Sequence, residues 1–541
     1  MTEPTKVDAG ELMAPARPAG RPAGRRDYRG GILAGRFGRI FRSPARLIAH
    51  GWEVAFLLLV VGGAISTLTS PHLGIGLIAL AECLLCLRIE RRHLDHLIMA
   101  PLVLVGFHYA LSNGFGMPLV WYGVSHRFGA TGEFDRLFFL AQCAHVVGFA
   151  GLMLGYWICR RGTPGFKLAP LDRQEPDKTR RILCLVGWAL FLLYMIIFMA
   201  GYITGGSDRT RITEFGGSDF TAWSIFKMFP RFPIMYFVLL PLMFQMARMP
   251  VRVLLFAMNG FLFFTFLISG SRGQLLTPIC LLLIGWWSFS QVSRRVVGFI
   301  IIMICLALPY IPLIALYRST EAFENTSQGD WLGRIEAFGK IREGLAAWDP
   351  EGLIQLTGES LLGVDDPQIF RRSPEDIPFA GWENVERLKN FWLPTVLAPE
   401  KLHLLDMNDI VRKYRDSETL TGAGITFTAD MYRRFGWQGI VLGNLILGAF
   451  LGAFYRVVFR WQRGRHPVVG TLIIVYFISY FTSTPYRTLL ETCWIWLWEF
   501  PKHMIALAAI VMVAKSVVDD SGKDRVNAKS PSPASTTIIP L

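Results

Sequence analysis

Apolar runs of about 20 residues, the length a helix needs to cross the hydrocarbon core of a bilayer, recur from residue 51 to residue 515. Twelve spans can be drawn, at 52–70, 72–88, 97–115, 135–158, 182–203, 223–246, 252–269, 274–290, 296–316, 437–458, 467–484 and 499–516. Pro71 parts the first two as a tight hairpin. Strands of a membrane barrel are only ~10 residues long and alternate in polarity, which this pattern does not do. The expected fold is therefore an all-α polytopic membrane protein with about 12 transmembrane helices.

Positive charge orients such spans, because Lys and Arg accumulate in cytoplasmic connections. The segment 1–50 holds ten Lys/Arg with no apolar run, and reads as a basic, disordered cytoplasmic tail rather than a cleaved signal. With that tail inside, the connections predicted to be inside are the basic ones: three Lys/Arg in 88–96, seven in 159–181 and four in 456–466. The short connections on the other side carry none in 69–72, one in 116–134 and two in 204–222. Both termini, 1–50 and 517–541, are expected in the cytoplasm.

One connection differs from all the others. Between the transmembrane block 51–316 and the last three spans, 437–516, lie some 120 residues, 317–436, placed outside by the same count. Its core, 317–424, has nineteen Asp/Glu against twelve Lys/Arg and no cysteine. Segments 330–348 (DWLGRIEAFGKIREGLAAW) and 382–392 (WENVERLKNFW) have the pattern of short amphipathic helices. A large external, mostly helical module packed on the membrane surface is expected, and long insertions of this kind are usually functional.

Composition agrees. The 541-residue chain is 52% hydrophobic and only 18% charged, where a soluble chain carries roughly 25%. A soluble enzyme and a single-anchor protein are excluded. The net charge of +14 reflects orientation and does not call for nucleic acid. The eight cysteines all lie in or beside apolar spans, which fits packing better than a disulfide framework or a metal site. Cys83 and Cys86 form a CxxC inside a leucine-rich span, where packing is again the simpler reading.

Candidate chemistry gathers at the external membrane face, where polar groups are expensive unless function needs them. Ser269-Gly270-Ser271-Arg272-Gly273 combines a tight backbone turn with one guanidinium and suits a phosphate oxygen; an ordinary turn with a snorkelling arginine is the other reading. Tyr317-Arg318 with Glu321 and Glu324 marks the exit into the long loop. Residues 424–448 carry Asp430, Tyr432, Arg433 and Arg434 into a late span, with Gly436 and Gly439 allowing close backbone approach; an interfacial helix is the alternative. Pro485-Tyr486-Arg487 is followed by Glu491 and three tryptophans, and Arg209, Arg211 and Glu214 lie in a Gly-rich loop. Arginine stays charged and grips phosphate bidentately, so the shared ligand would be a lipid phosphate or pyrophosphate. The histidines do not organise into a site in sequence, and no HExxH, nucleophile elbow or Walker loop is present.

Two of these stretches, LISGSRGQLLTPICLLL (267–283) and ADMYRRFGWQGIVLGNLILGAFLG (429–452), resemble the bacterial oligosaccharide repeat-unit polymerases, the O-antigen polymerase family of Wzy type. The shared elements are S-R-G at the start of a span and Y-x-x-F-G-x-x-G before a late one, here Tyr432, Phe435, Gly436 and Gly439. The resemblance implies a GT-C-like glycosyltransferase at the outer face of the bacterial inner membrane. It would move a growing glycan from polyprenyl pyrophosphate onto the next lipid-linked repeat unit, without metal or cofactor. A flippase and a chain-length regulator of the same pathway are the implied partners. Arg272 and Ser271 would hold the pyrophosphate; topology adds Arg318, Arg211 and Arg487, with Tyr432 at the substrate. Asp430 stands where a glutamate often precedes the tyrosine, and Asp430 or Glu491 would serve as base. An O-antigen ligase, a lipid-glycan flippase or exporter and a non-catalytic envelope scaffold are the alternatives.

Overall fold

Prolines 44, 71, 101, 350 and 467 each open a helix. At the first helical position proline has no needed N–H to lose, and its φ is already helical. A computed structural model describes residues 44–91, 93, 97–128, 132–161, 177–203, 232–268, 272–289, 313–314, 317, 331–341, 350–362, 366–385, 388, 410, 413–414, 424–463 and 467–529. The chain divides into Met1–Val54 and Ala55–Leu541, and the helical bundle lies in the second unit. No strand occurs among the described residues.

In chain order the helices are α1 (Pro44–Ser66), α2 (Pro71–Ile89), α3 (Pro101–Tyr109), α4 (Met117–Phe128), α5 (Gly132–Arg160), α6 (Asp177–Ile203), α7 (Tyr236–Met246), α8 (Met249–Ile268) and α9 (Arg272–Phe289). In the loop module lie α10 (Trp331–Gly339), α11 (Pro350–Leu362) and α12 (Asp366–Arg372). The chain ends with α13 (Phe427–Arg463), α14 (Pro467–Ser483), α15 (Leu489–Trp494) and α16 (Phe500–Lys529).

Eight helical stretches among the described residues are long and apolar enough to cross a membrane, and three shorter apolar helices lie at Glu53–Ser66, Pro233–Met246 and Thr277–Phe289. The expected span 296–316 lies almost wholly outside the described residues. Large apolar side chains face outward along these helices: Phe256 is 75% exposed and Ile505 73%. A water-soluble protein rarely shows such continuous apolar surface. Lipid is the solvent these faces fit.

Two boundaries differ from the sequence reading. The third span, expected to end at 115, continues through a π-helical turn at Ala110–Gly116 into α4, so the helical path runs to Phe128. Wider i→i+5 turns of this kind occur mostly as local bulges at functional sites. Helix α13 begins ten residues before the expected span and carries a break at Gly436.

Glycine sets how closely the central helices approach. A Cβ at Gly155 of α5 would meet the Leu445 carbonyl of α13, and one at Gly448 would meet the Leu152 carbonyl. At Gly452 it would fall 2.5 Å from the Tyr156 carbonyl oxygen. Without a hydrophobic driving force inside lipid, such small-residue faces supply association through close packing. A second glycine contact binds the loop module to the bundle: a Cβ at Gly358 of α11 would lie 2.5 Å from Val120 N of α4.

The ends of the helices sort consistently. Glu90, just after α2, pairs with Arg160 at the end of α5. Tyr156 donates to Glu90 at 2.9 Å, while Arg160 and Tyr455 both donate to the Met99 carbonyl, at 3.2 and 2.8 Å. The end of α2 and the end of α5 thus meet at one end of the bundle. At the other end of α5, Asp135 accepts from Trp121 at 2.6 Å and Gln142 meets His72 at 2.8 Å. There Met117, Val120 and Phe138 form one apolar core with Ile369, Phe370, Tyr414 and Tyr432. The described segments 350–362 and 366–385 of the loop are therefore packed into the bundle.

Candidate functional site

Thr426 starts α13 as its cap: its hydroxyl accepts the Ala429 N–H at 3.1 Å, relieving one of the unpaired amides of the first turn. That hydroxyl also donates to Asp366 Oδ2 at 2.6 Å, and the Thr426 N–H donates to Asp366 Oδ1 at 3.0 Å. Asp366 opens α12 in the loop module, so one carboxylate ties the module to the start of the late membrane helix.

The helix then breaks at Gly436, whose φ of 64° and ψ of −150° belong to a region essentially reserved for glycine. Phe379 lies beneath it, 3.1 Å from where a Cβ would sit. Gly439 and Gly443 let Met431 fold back against the continuing helix. The carbonyls freed by the break are capped by the loop: Ala380 and Gly381 donate to Arg433 O and Arg434 O at 3.0 and 3.1 Å. Alanine at Gly436 is expected to cost about 1–3 kcal/mol and to lower the melting midpoint of the purified protein, with the 379–384 turn losing its dock.

That turn occupies the start of a segment expected to be helical, of which 386–387 and 389–392 lie outside the described residues. Segment 382–392 has an amphipathic helical pattern, yet its described start is a turn with left-handed Gly381 and Asn384, at φ 51° and 65°. The physical reason lies across the contact. Arg434 Nη1 donates to the Gly381 and Glu383 carbonyls at 3.0 and 2.9 Å, removing the acceptors a helix would have used.

Asp430 is fully buried at the centre of this arrangement. Its Oδ1 accepts from Arg433 Nε at 2.9 Å and Nη2 at 2.7 Å. Its Oδ2 accepts from Arg434 Nε at 3.1 Å and from the Leu489 N–H at 2.8 Å. Glu383 approaches Arg433 from the loop side at 3.7 Å. One carboxylate against two guanidiniums leaves the inner trio a net single positive charge. With four donors on its two oxygens, Asp430 is arranged as a counter-charge and not as a waiting proton acceptor.

Three further predicted residues come into the same neighbourhood. Arg487 lies two residues before the amide that holds Asp430, and its Nη1 is 4.0 Å from Glu491 Oε1. Glu491 is chiefly a helix cap: its carboxylate accepts the Thr488 N–H at 3.4 Å while the Thr488 hydroxyl accepts the Glu491 N–H at 3.2 Å. Tyr432 is 7% exposed. It packs on Phe370 with ring centroids 4.5 Å apart and donates to the Ser373 carbonyl at 3.3 Å. It holds the loop module to α13. Ser271, Arg318 and Arg211 lie outside the described residues, and of Arg272 only the backbone, opening α9, is described.

A narrow pocket lies beside this cluster, with Tyr109, Asn113, His145, Thr428, Asn444 and Tyr486 on its walls and an apolar floor of Val105, Phe149 and Leu152. His145 Nε2 stands 2.8 Å from Asp366 Oδ2, off the ideal hydrogen-bond direction. His108 stacks on Tyr486 with centroids 4.0 Å apart, and the Tyr486 hydroxyl meets Ser112 at 3.3 Å. The histidines, dispersed in sequence, do converge here. Their signal was present as polar residues inside apolar spans, Asn113, His145 and Asn444 among them, which lipid tolerates only where they face a protein interior. The partner Asp366 carried no such signal, being one acid among nineteen in the loop.

Fold and site together define an all-helical, multi-pass membrane protein in which the segment 366–384 packs against the late helix α13. No family model, no curated protein and no solved structure matches the chain.

Proposed function

We propose that the chain is a membrane glycosyltransferase that polymerises polyprenyl-pyrophosphate-linked oligosaccharide repeat units at the outer face of the bacterial inner membrane. The reading includes a twelve-span, GT-C-like bundle, cytoplasmic termini and a periplasmic loop module. One observation carries it: Arg433 and Arg434, inside the Y-x-x-F-G-x-x-G element, are clamped by Asp430 next to the Arg487 turn. This makes a rigid cluster of guanidiniums, with Glu383 and Glu491 as their further counter-charges, where the loop module docks. The glycine-only break at Gly436 gives the motif a physical reason, since it positions that node.

In this mechanism an acceptor hydroxyl displaces pyrophosphate at the anomeric carbon. Charge builds on the leaving oxygen, and preorganised guanidiniums stabilise it without reorganising. Asp430 contributes by holding two of those guanidiniums in place. Arg272 and Arg487 complete the grip on the pyrophosphate, and the module's aromatic faces bind acceptor sugars.

The test is a deletion strain with lipid-linked and surface glycans sized separately. Loss of long polymer, with single repeat units still reaching the surface, is the expected result. Long polymer persisting on the carrier lipid would instead mean an O-antigen ligase or an exporter. The exporter reading draws on one feature, Glu82, buried partway along α2. For Arg272→Ala, polymer yield is expected to fall about a hundredfold, the usual cost of one oxyanion donor, in a normally inserted protein. Unchanged polymer length and yield would remove Arg272 from the site.

A further inference from the structure

The pocket beside the arginine node has the makings of an acid–base site. His145 comes from the membrane helix α5 and Asp366 from the loop module, and they meet at 2.8 Å only because the module is docked. Asp366 has no exposure to solvent, and Thr426 holds both its oxygens, at 3.0 and 2.6 Å. The approach is off the hydrogen-bond direction and Nε2 makes no hydrogen bond, so Asp366 holds the ring by contact at 2.8 Å without fixing its tautomer, and the unprotonated ring nitrogen is the proton acceptor. His145 itself is only 4% exposed and lines the pocket.

The other walls point to the ligand. Asn113 is 5% exposed, and its Oδ1 is buried without a hydrogen-bond partner, a costly state for an amide oxygen unless a ligand or water fills it. Tyr109, Thr428 and Asn444 add neutral donors and acceptors, and no cationic side chain lines the pocket among the described residues. The space fits a hydroxyl group rather than a phosphate. The titratable groups facing His145 are Asp366 from α12, Tyr109 from α3 and Tyr486 from the turn before Arg487, with His108 stacked behind Tyr486.

We infer that His145, positioned by Asp366, is the base that takes the proton from the acceptor sugar hydroxyl. This rests on the glycosyl-transfer reading and moves the base from the two acidic residues expected there to a histidine. In the step, the hydroxyl oxygen bonds to the anomeric carbon as the carbon–oxygen bond to pyrophosphate breaks. The bonding pair leaves with the pyrophosphate, and the hydroxyl proton passes to His145 and from there to water.

Membranes carrying wild type, His145→Gln or Asp366→Asn are supplied with lipid-linked single repeat units extracted from the deletion strain. Polymer formation is then followed between about pH 5 and 8, where histidine changes charge. The wild-type rate should fall on the acid side. His145→Gln should be slower by about a hundredfold or more and lose that acid limb. Asp366→Asn should lower kcat about tenfold with KM unchanged; a merely structural role would lower the amount of inserted protein and leave that split unmoved. Near-normal polymer from His145→Gln, while the deletion strain accumulates single units, overturns this inference and leaves the polymerase reading standing. If the deletion strain accumulates no single units, both fall. Should His145→Gln not insert, the wild-type profile decides, and a flat acid side overturns the assignment.

Discussion

Replacing Asp430 with alanine is expected to cost about 3–5 kcal/mol, the usual penalty for stripping one partner from a buried charge pair. The side chain has no exposure, and four donors converge on it. Its removal leaves Arg433 and Arg434, 5% and 2% exposed, as two facing positive charges. Arg434 would also loosen its hold on the Gly381 and Glu383 carbonyls, so the loop module should detach with it. Thermal unfolding of the detergent-purified protein, read by size exclusion, should show a markedly lower midpoint and reduced yield. Asp430→Asn should fall between, keeping two acceptor positions at most. The diagnostic variant removes the whole cluster: Asp430→Ala with both arginines changed to methionine should recover much of the stability and none of the polymerising activity. An Asp430→Ala protein that melts with wild type would show that the node does not hold the late helices together.

Gly448 should tolerate no side chain. An added Cβ would collide with the Leu152 carbonyl of α5, and backbone on a neighbouring helix cannot swing aside as a side-chain tip can. Alanine there is expected to cost about 1–3 kcal/mol through overpacking, and leucine to separate α5 from α13 altogether. Gly155 should behave alike, since it presses on the Leu445 carbonyl from the opposite helix. Gly260 provides the control. Nothing lies within 4 Å of its Cβ position, so alanine should be neutral or slightly stabilising through helix propensity. Equal melting midpoints for the Gly448 and Gly260 alanine variants would contradict the close-packed interface. Because α5 carries His145 and α13 carries Asp430, separation of these two helices should abolish activity along with stability.

Several features of this molecule were legible in residue order. The apolar runs marked most of the membrane helices to within a few residues, because burial in lipid demands a length and a composition whatever the helices touch. The acidic stretch after residue 317 stood out by charge, and Gly436 and Gly439 by their place in a repeated spacing. Residues 424–448 were recognised as important from Asp430, Tyr432 and the two arginines. Their roles were not. Tyr432 packs on Phe370 and donates to the Ser373 carbonyl, and Asp430 accepts from four donors; identity alone does not say what occupies an oxygen's lone pairs.

Hydropathy and charge therefore determined the class of the protein, the order of its helices and the position of its large loop, all properties that depend on local transfer free energy. The tertiary structure alone decided which polar groups meet. Asp366 and His145 are 221 positions apart, and their contact depends on α12 docking where α5 and α13 converge. The turn at 381–384 takes its shape from a guanidinium some fifty residues later in the chain. Pair interactions across such separations leave no periodic trace, because each partner, considered singly, is an ordinary polar residue whose cost and purpose appear only when water is excluded around both.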